Sequence, residues 1–204
     1  MSKKKSLYES VTQAPPEAPM GSVAWPEHRD DVPKGEPDTA FEKKLYMQLR
    51  NYLSGKGSID DDMVEDLTTM LQQGLYPKIL HAPDAKTVYR GMGVDATWLK
   101  KALKTQKLKN AGRLDTGFTF SPRGGHISSW TYSIGTAEMF AHESAHSSIE
   151  YSVVLGATVD QNVGHLLSCP GGLYNVKGFD AYADEGEVIG LYDIKVSSIT
   201  WGPP

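Results

Sequence analysis

The sequence predicts an α+β domain in which helices come first and strands make up most of the remaining chain. Between about residues 39 and 74, apolar residues recur every three or four positions, a spacing that is typical of amphipathic helices. After Pro83, short runs rich in β-branched and aromatic residues are separated by Gly, Ser and Pro, a pattern that is typical of strands. Helices followed by strands, without regular βαβ alternation, indicate an α+β order.

Length, charge and cysteine usage exclude several classes of protein. The 204 residues fit one domain, and a net charge of -4 argues against a dedicated binder of duplex nucleic acid. The single cysteine, Cys169, excludes an intramolecular disulfide and a thiolate metal site, which favours a reducing compartment. The basic residues at 3–5 are not followed by the apolar stretch of a secretion signal, and no apolar run approaches the roughly 20 residues that cross a bilayer. We therefore expect a cytoplasmic protein with no membrane partner.

Residues 1–38 form a proline-rich segment that we expect to be disordered or loosely ordered. They contain six of the twelve prolines and almost no periodic apolar residues, so they bury too little surface to offset the entropy of ordering. Residues 39–204 are predicted to form a single domain, with a helical lead-in at 39–80 and a strand-rich core at 84–202.

The helical lead-in is predicted to contain two amphipathic helices. The first has an apolar residue at every fourth position, namely Phe41, Leu45, Leu49 and Leu53. An N-cap candidate precedes this helix and Gly55 follows it as a stop signal. The second helix is predicted to begin at Ser58 and to end at Gly74, with the acids at 60–62 in its first turn, where the helix dipole favours negative charge.

The core is predicted to contain short strands and two short helices. Strands are expected at 87–90, 117–120, 149–159, 186–192 and 194–201, and helices at 95–103 and 136–145. Asp95 is the predicted N-cap of the first of these helices.

Three short motifs occur in a fixed order along this core. Tyr-Arg-Gly at 89–91 ends a predicted strand, Ser-Ser-Trp-Thr at 128–131 precedes a helix, and Glu-Gly-Glu at 185–187 opens a strand. This set resembles the mono-ADP-ribosyltransferases of the Arg-Ser-Glu class, which carry an arginine, a Ser-Thr-Ser strand and a Glu-x-Glu strand in the same order. That family follows its serine strand with a helix ending in Ala-x-x-Phe-Ala, and Ala-Glu-Met-Phe-Ala stands here at 137–141. The resemblance covers about residues 84–202 and is closest to phage-borne and bacterial effector-like members, in which Ser-Trp-Thr can replace Ser-Thr-Ser.

The resemblance implies both a fold and an activity. The fold would be an ADP-ribosyltransferase-like core of two packed antiparallel or mixed sheets behind the helical lead-in, so that residues 39–204 form a catalytic domain. The enzyme would split NAD, release nicotinamide and transfer ADP-ribose to arginine side chains of target proteins. NAD would be the co-substrate, no metal would be needed, and the target proteins would belong to the host if the chain is phage-encoded.

The resemblance also gives a role to each motif residue. Glu187 would stabilise the positive charge that develops on the ribose as the nicotinamide bond breaks. Glu185, two positions earlier on the same face of the strand, would orient and deprotonate the acceptor arginine. Arg90 would clamp the NAD pyrophosphate with its planar guanidinium, and Ser129 would hold the rotamer of Glu187. The residues expected to contact NAD are Arg90, Gly91, Ser128, Ser129 and Trp130.

Two of these assignments leave alternatives open. The distance to Phe140 favours Ser129 over Ser128 as the family serine, although the tryptophan between the polar residues leaves the register open by one position. Phe179 and Tyr182 are expected to recognise the protein substrate, because in the family the loop before the catalytic strand contacts the acceptor. An aromatic pair that closes the core explains these two residues equally well.

The main rival is a zinc hydrolase that uses His-Glu-Ser-Ala-His at 142–146. On a helix, His142 and His146 would share one face and Glu143 could act as a general base. The strand predicted just downstream ends this helix near His146, and the third ligand would have to be His165 or Glu150. We therefore rank the zinc site below the transferase.

A Rossmann site is a further rival, because Gly-Met-Gly-Val-Asp-Ala at 91–96 fits the dinucleotide-binding pattern and Asp115 follows at a suitable distance. That fold needs repeated βαβ units, which the predicted order lacks. We interpret these glycines as a turn of the chain after Arg90.

A basic stretch at 100–113 contains six Lys or Arg residues: Lys100, Lys101, Lys104, Lys107, Lys109 and Arg113. We interpret it as a solvated helix face in preference to a surface for RNA or an acidic protein. A non-catalytic module that binds a protein or nucleic acid through this stretch or through the cleft is the alternative from a different class.

Overall fold

The computed structural model describes residues 39–53, 56–122, 125–145, 150–168 and 187–203. These residues form an α+β fold in which two helices precede the sheet and two more are interleaved with its strands, so the predicted class is confirmed. The elements are α1 (Ala40–Leu53), α2 (Asp61–Gln72), β1 (Thr87–Asp95), α3 (Ala96–Ala102), β2 (Gly112–Phe120), β3 (Ile127–Thr131), α4 (Ile134–Ser144), β4 (Glu150–Thr158), a 3-10 helix (Val159–Asn162), β5 (Leu166–Ser168), β6 (Glu187–Leu191) and β7 (Ile194–Trp201). Within these ranges, no helix has the length and apolar character needed to span a membrane.

The seven strands form one sheet in the order β2-β7-β4-β1-β3-β6-β5, and all the described pairs are antiparallel. Strand β1 pairs with β4 along its whole length, but it pairs with β3 only through Tyr89 and Thr131. The sheet therefore has a four-strand half (β2, β7, β4, β1) and a three-strand half (β3, β6, β5). The expectation is two packed sheets, and the narrow β1–β3 pairing joins them into one. Antiparallel pairing also contradicts the Rossmann interpretation, which needs a parallel sheet.

Helices α1 and α2 pack on the three-strand half through a shared apolar core. Leu45 and Leu49 of α1 belong to the same buried cluster as Ile189 and Leu191 of β6, and α2 contributes Leu67. This packing explains the four-residue apolar spacing in the sequence. The four-strand half has its own core, which includes Val88, Leu155, Ile194 and Ile199 and extends to Trp130 of β3.

Side chains at both helix starts fix α1 and α2 in place. Thr39 caps α1, because its hydroxyl accepts from the Glu42 amide at 3.1 Å while the Glu42 carboxylate accepts from the Thr39 amide at 3.2 Å. The other carboxylate oxygen of Glu42 accepts from the amide of Lys78 at 2.9 Å. Asp60, the N-cap of α2, uses its carboxylate to bind Lys44 at 2.8 Å and Gln48 at 2.5 Å on α1. The second helix therefore begins at Asp61, three residues later than predicted.

Glycines 91 and 93 lie inside β1, so the prediction that they turn the chain after Arg90 is wrong. A Cβ atom at Gly91 would overlap the carbonyl oxygen of Ala137, and one at Gly93 would overlap that of Ser144. Both carbonyls belong to α4. Glycine is needed at these positions because the backbone of α4 lies directly on the strand. The strand consequently continues to Asp95, which caps α3 by accepting from the Trp98 amide at 2.8 Å.

Candidate functional site

Arg90 lies in the middle of β1, where the two halves of the sheet meet, and not at a strand end as predicted. Its Nη1 donates to the backbone oxygen of Ser129 at 2.5 Å, and its guanidinium carbon lies 5.4 Å from the centre of the Phe120 ring. Its Nε atom is buried and has no hydrogen-bond partner within the described residues. A buried donor that is left unsatisfied costs free energy.

The surroundings of Arg90 act on its pKa in two opposite directions. Burial lowers the pKa of the guanidinium below its ordinary value, while Tyr52 and Glu187 act in the opposite direction. The ordinary arginine pKa lies so far above neutrality that the group stays charged. The site therefore contains a permanent cation that is partly buried, so its attraction for an anion is screened less than that of a fully exposed charge.

Ser129 and Glu187 lie on the same face of the paired strands β3 and β6. In the register of this pair, Thr131 is opposite Glu187 and Ser129 is opposite Ile189. Directly opposed residues share a face and side chains alternate along a strand, so Ser129 and Glu187 are diagonal neighbours. With Arg90 bound to the backbone of Ser129, residues from three distant motifs come together here.

Ser128 and Trp130 alternate with Ser129 and point to the other face of β3, where each is 2% exposed. The Trp130 indole donates to the Ser128 hydroxyl at 2.9 Å, and this hydroxyl donates to the backbone oxygen of Gly190 at 3.4 Å. The Trp130 ring also packs edge-on against Phe120, with 5.9 Å between ring centres. These residues thus support the aromatic ring on which Arg90 lies.

Tyr52, near the end of α1, belongs to the site although no sequence motif includes it. Its hydroxyl forms a hydrogen bond of 3.1 Å with the Ser129 hydroxyl, and Tyr52 acts to raise the pKa of the Arg90 guanidinium. The sequence gives only a weak indication that Tyr52 belongs to the site. Tyr52 follows Leu49 by three positions and shares its apolar face, so it places a polar hydroxyl where only packing residues are expected.

A cavity of about 280 Å³ opens beside Arg90. The residues around it include Arg90, Met92, Trp98, Phe120, Ser121 and Ile127. Trp98 packs edge-on against Phe118, with 5.5 Å between ring centres. A cavity that combines a fixed cation with aromatic and apolar walls suits a ligand that carries both a phosphate and a flat heterocycle. Gly91, which is also expected to contact NAD, lies against α4.

Three predicted site residues, Glu185, Phe179 and Tyr182, lie outside the described residues. The same holds for His146 of the rival zinc motif, whereas His142 and Glu143 are exposed on α4. That helix ends at Ser144. Among the described residues, no group of three His, Cys, Asp or Glu side chains could hold a metal ion.

The basic stretch surrounds the end of α3. Lys100, Lys101 and Lys104 line a shallow depression together with Thr97, Thr105 and Gln106. Arg113 and Asp115 are both exposed, and their charged groups lie 3.9 Å apart.

Comparison with known protein families, with curated proteins and with solved structures finds no match for this chain.

Proposed function

We propose that the chain is an NAD-dependent mono-ADP-ribosyltransferase that modifies arginine side chains of other proteins, as the resemblance of its motifs implies. The observation that supports this best is the meeting of Arg90, Ser129 and Glu187 at the junction of the two sheet halves. These residues come from three motifs that are far apart in the sequence. Each motif alone is common, but their convergence at one junction of the sheet is not expected of unrelated surface residues.

We propose the finer fold on the same basis. An ADP-ribosyltransferase-like core is built from two antiparallel sheet segments, and the four-strand and three-strand halves correspond to them. The single pair between Tyr89 and Thr131 then marks the boundary between the segments, and the cavity lies beside it.

In this proposal Arg90 binds the pyrophosphate of NAD. Arg90 lines the cavity, and the planar set of donors of a guanidinium matches the acceptor oxygens of a phosphate. Trp98 and Phe120 line the same cavity and offer apolar surface to a base of the dinucleotide. Ser128 and Trp130 act through packing, because their side chains are buried and bonded to each other.

Glu187 stabilises the transition state of the transfer. As the bond between nicotinamide and the ribose C1′ atom breaks, nicotinamide leaves with the electron pair and positive charge develops on the ribose. A fixed carboxylate beside that charge lowers the barrier. A guanidinium nitrogen of the target arginine forms the new bond to C1′, and Glu185 takes the proton that this nitrogen loses. Ser129, on the same face as Glu187, is the residue that we assign to the family serine.

The test is transfer of label from NAD onto proteins of a bacterial lysate, with EDTA present throughout. We expect the wild type to label proteins and Glu187→Gln to lose at least a hundredfold in rate, as when one preorganised electrostatic group is removed. Glu138→Gln, an exposed residue of α4, makes the same chemical change away from the site and should leave the rate unchanged.

Two results would contradict the proposal. Equal labelling by Glu187→Gln and wild type would exclude the assigned chemistry. A folded wild type that neither labels proteins nor consumes NAD would favour a binding module. Peptide hydrolysis that appears in a parallel assay without EDTA and is abolished by EDTA would favour the zinc hydrolase.

A further inference from the structure

We propose that Tyr52 is a positioning residue of this site: its hydroxyl, supplied by the helical lead-in, holds the side chain of Ser129 in place beside Arg90 and Glu187. The effect on catalysis rests on the proposed function, whereas the effect on the geometry of Arg90 and Ser129 does not. The inference makes α1 a part of the site and not only a cover for the sheet.

The contact between Tyr52 and Ser129 joins residues that are 77 positions apart in the sequence, at 3.1 Å between their hydroxyl oxygens. Ser129 is bound from two sides, because its backbone oxygen accepts from Arg90 at 2.5 Å. The serine therefore links the tyrosine of α1 to the arginine of β1. A serine hydroxyl can otherwise rotate among its staggered positions, and a fixed partner removes that freedom.

Helix α1 is well placed to hold this contact. Its start is fixed by Glu42, which bonds to both Thr39 and Lys78, and its middle is tied to α2 through Lys44 and Asp60. Its apolar face shares a core with Ile189 and Leu191, which lie on β6, the strand that begins at Glu187. The helix that carries Tyr52 thus packs on the same strand that carries the proposed catalytic glutamate.

The first experiment compares Tyr52→Phe with Tyr46→Phe in the transfer assay. Both tyrosines are partly buried on α1 and pack against the same core, and phenylalanine keeps the ring in each case. We expect kcat to fall about tenfold in Tyr52→Phe, as the loss of one hydrogen bond implies, with the KM for NAD within about threefold. Tyr46→Phe should stay within about twofold of wild type in both parameters.

A double variant tests whether Tyr52 acts through Ser129. If it does, Tyr52→Phe combined with Ser129→Ala should be no slower than Ser129→Ala alone, because the second change removes a contact that is already lost. Independent, multiplying losses would show that the tyrosine acts in another way and would overturn the proposal.

A second readout needs neither NAD nor turnover. The rate at which phenylglyoxal modifies Arg90, followed by peptide mass spectrometry, reports how firmly the guanidinium is held, and the exposed Arg113 serves as the internal reference. We expect Arg90 to react several-fold faster in Tyr52→Phe and Ser129→Ala than in wild type or Tyr46→Phe, with equal unfolding temperatures. An unchanged rate would overturn the positioning role, and an inactive wild type with the expected rates would overturn only the proposed function.

Discussion

The two halves of the sheet are covered by helices in different ways. On the three-strand half, α1 and α2 are held by side chains: leucines fill the interface and polar groups such as Glu42 and Asp60 fix the helix starts. On the four-strand half, the backbone of α4 lies directly on β1 over Gly91 and Gly93. The first half supplies Ser129 and Glu187, and the second supplies Arg90. The side chains on the three-strand half can shift to accommodate a change, so we call it the adjustable half. The backbone contact on the four-strand half cannot shift in this way, so we call it the rigid half. The site depends on both.

The rigid half should be the most sensitive to a single added methyl group. Gly91→Ala places a Cβ into the backbone of α4, so we expect the free energy of unfolding to fall by about 3 kcal/mol, as in severe overpacking. Urea denaturation measures this. Gly117→Ala is the matched control, because a Cβ at Gly117 meets nothing within 4 Å, and equal stability of the two variants would show that α4 does not lie on β1 as described.

The junction between the halves is tested by the conservative change Arg90→Lys. Lysine keeps the charge but loses the planar fork, so we expect affinity for NAD to weaken roughly 30-fold, as the loss of about 2 kcal/mol from charged hydrogen bonds implies. Isothermal titration calorimetry measures the affinity, with the exposed Arg113→Lys as a control that should bind NAD like wild type. Unchanged affinity in Arg90→Lys would remove the arginine from the ligand site.

The contacts of Asp60 in the adjustable half should make the stability of the fold depend slightly on pH. The hydrogen bond from Lys44, and then the one from Gln48, hold the pKa of Asp60 below its ordinary value. A carboxyl with a lowered pKa in the folded state adds stability above the unfolded pKa of about 3.9, and this stability is lost as the pH falls through the folded value. We expect Asp60→Asn to reduce slightly the acid-induced drop in melting temperature below about pH 4.

Because the Asp60 side chain is exposed, the effect should also weaken at high salt. Asp62→Asn, in the first turn of the same helix, gives the comparison. Identical pH profiles for wild type and Asp60→Asn would show that the contact with α1 does not exist in solution.

The sequence alone predicts those features that depend on neighbours along the chain. Strand β7 is predicted at its observed bounds, Ile194–Trp201, because apolar and polar residues alternate on either side of Ser197 and Ser198. Strand β2 begins five residues earlier than predicted, because a register shift between Asp115 and Phe118 breaks its alternation. The motifs at Arg90 and Ser129 can likewise be found from the sequence, because each consists of consecutive residues.

Features that depend on tertiary contacts cannot be predicted in this way. Gly91 and Gly93 have the local appearance of a turn, and only the position of α4 explains why they lie in a strand. Tyr52 has the appearance of a core aromatic, and only its contact with Ser129 places it in the site. The joining of two sheet segments into one likewise depends on a single pair, Tyr89 with Thr131, which has no sequence pattern.

The glycines under α4 also limit how this sequence can vary. At Gly190 an added Cβ would meet the side chains of Trp130 and Ser128, so a smaller neighbour could make room for it and the positions could change together. At Gly91 and Gly93 the space is filled by the main chain of α4, which every amino acid possesses. No substitution elsewhere can therefore compensate, and these two positions should remain glycine in any descendant of this sequence that keeps its helix on the strand.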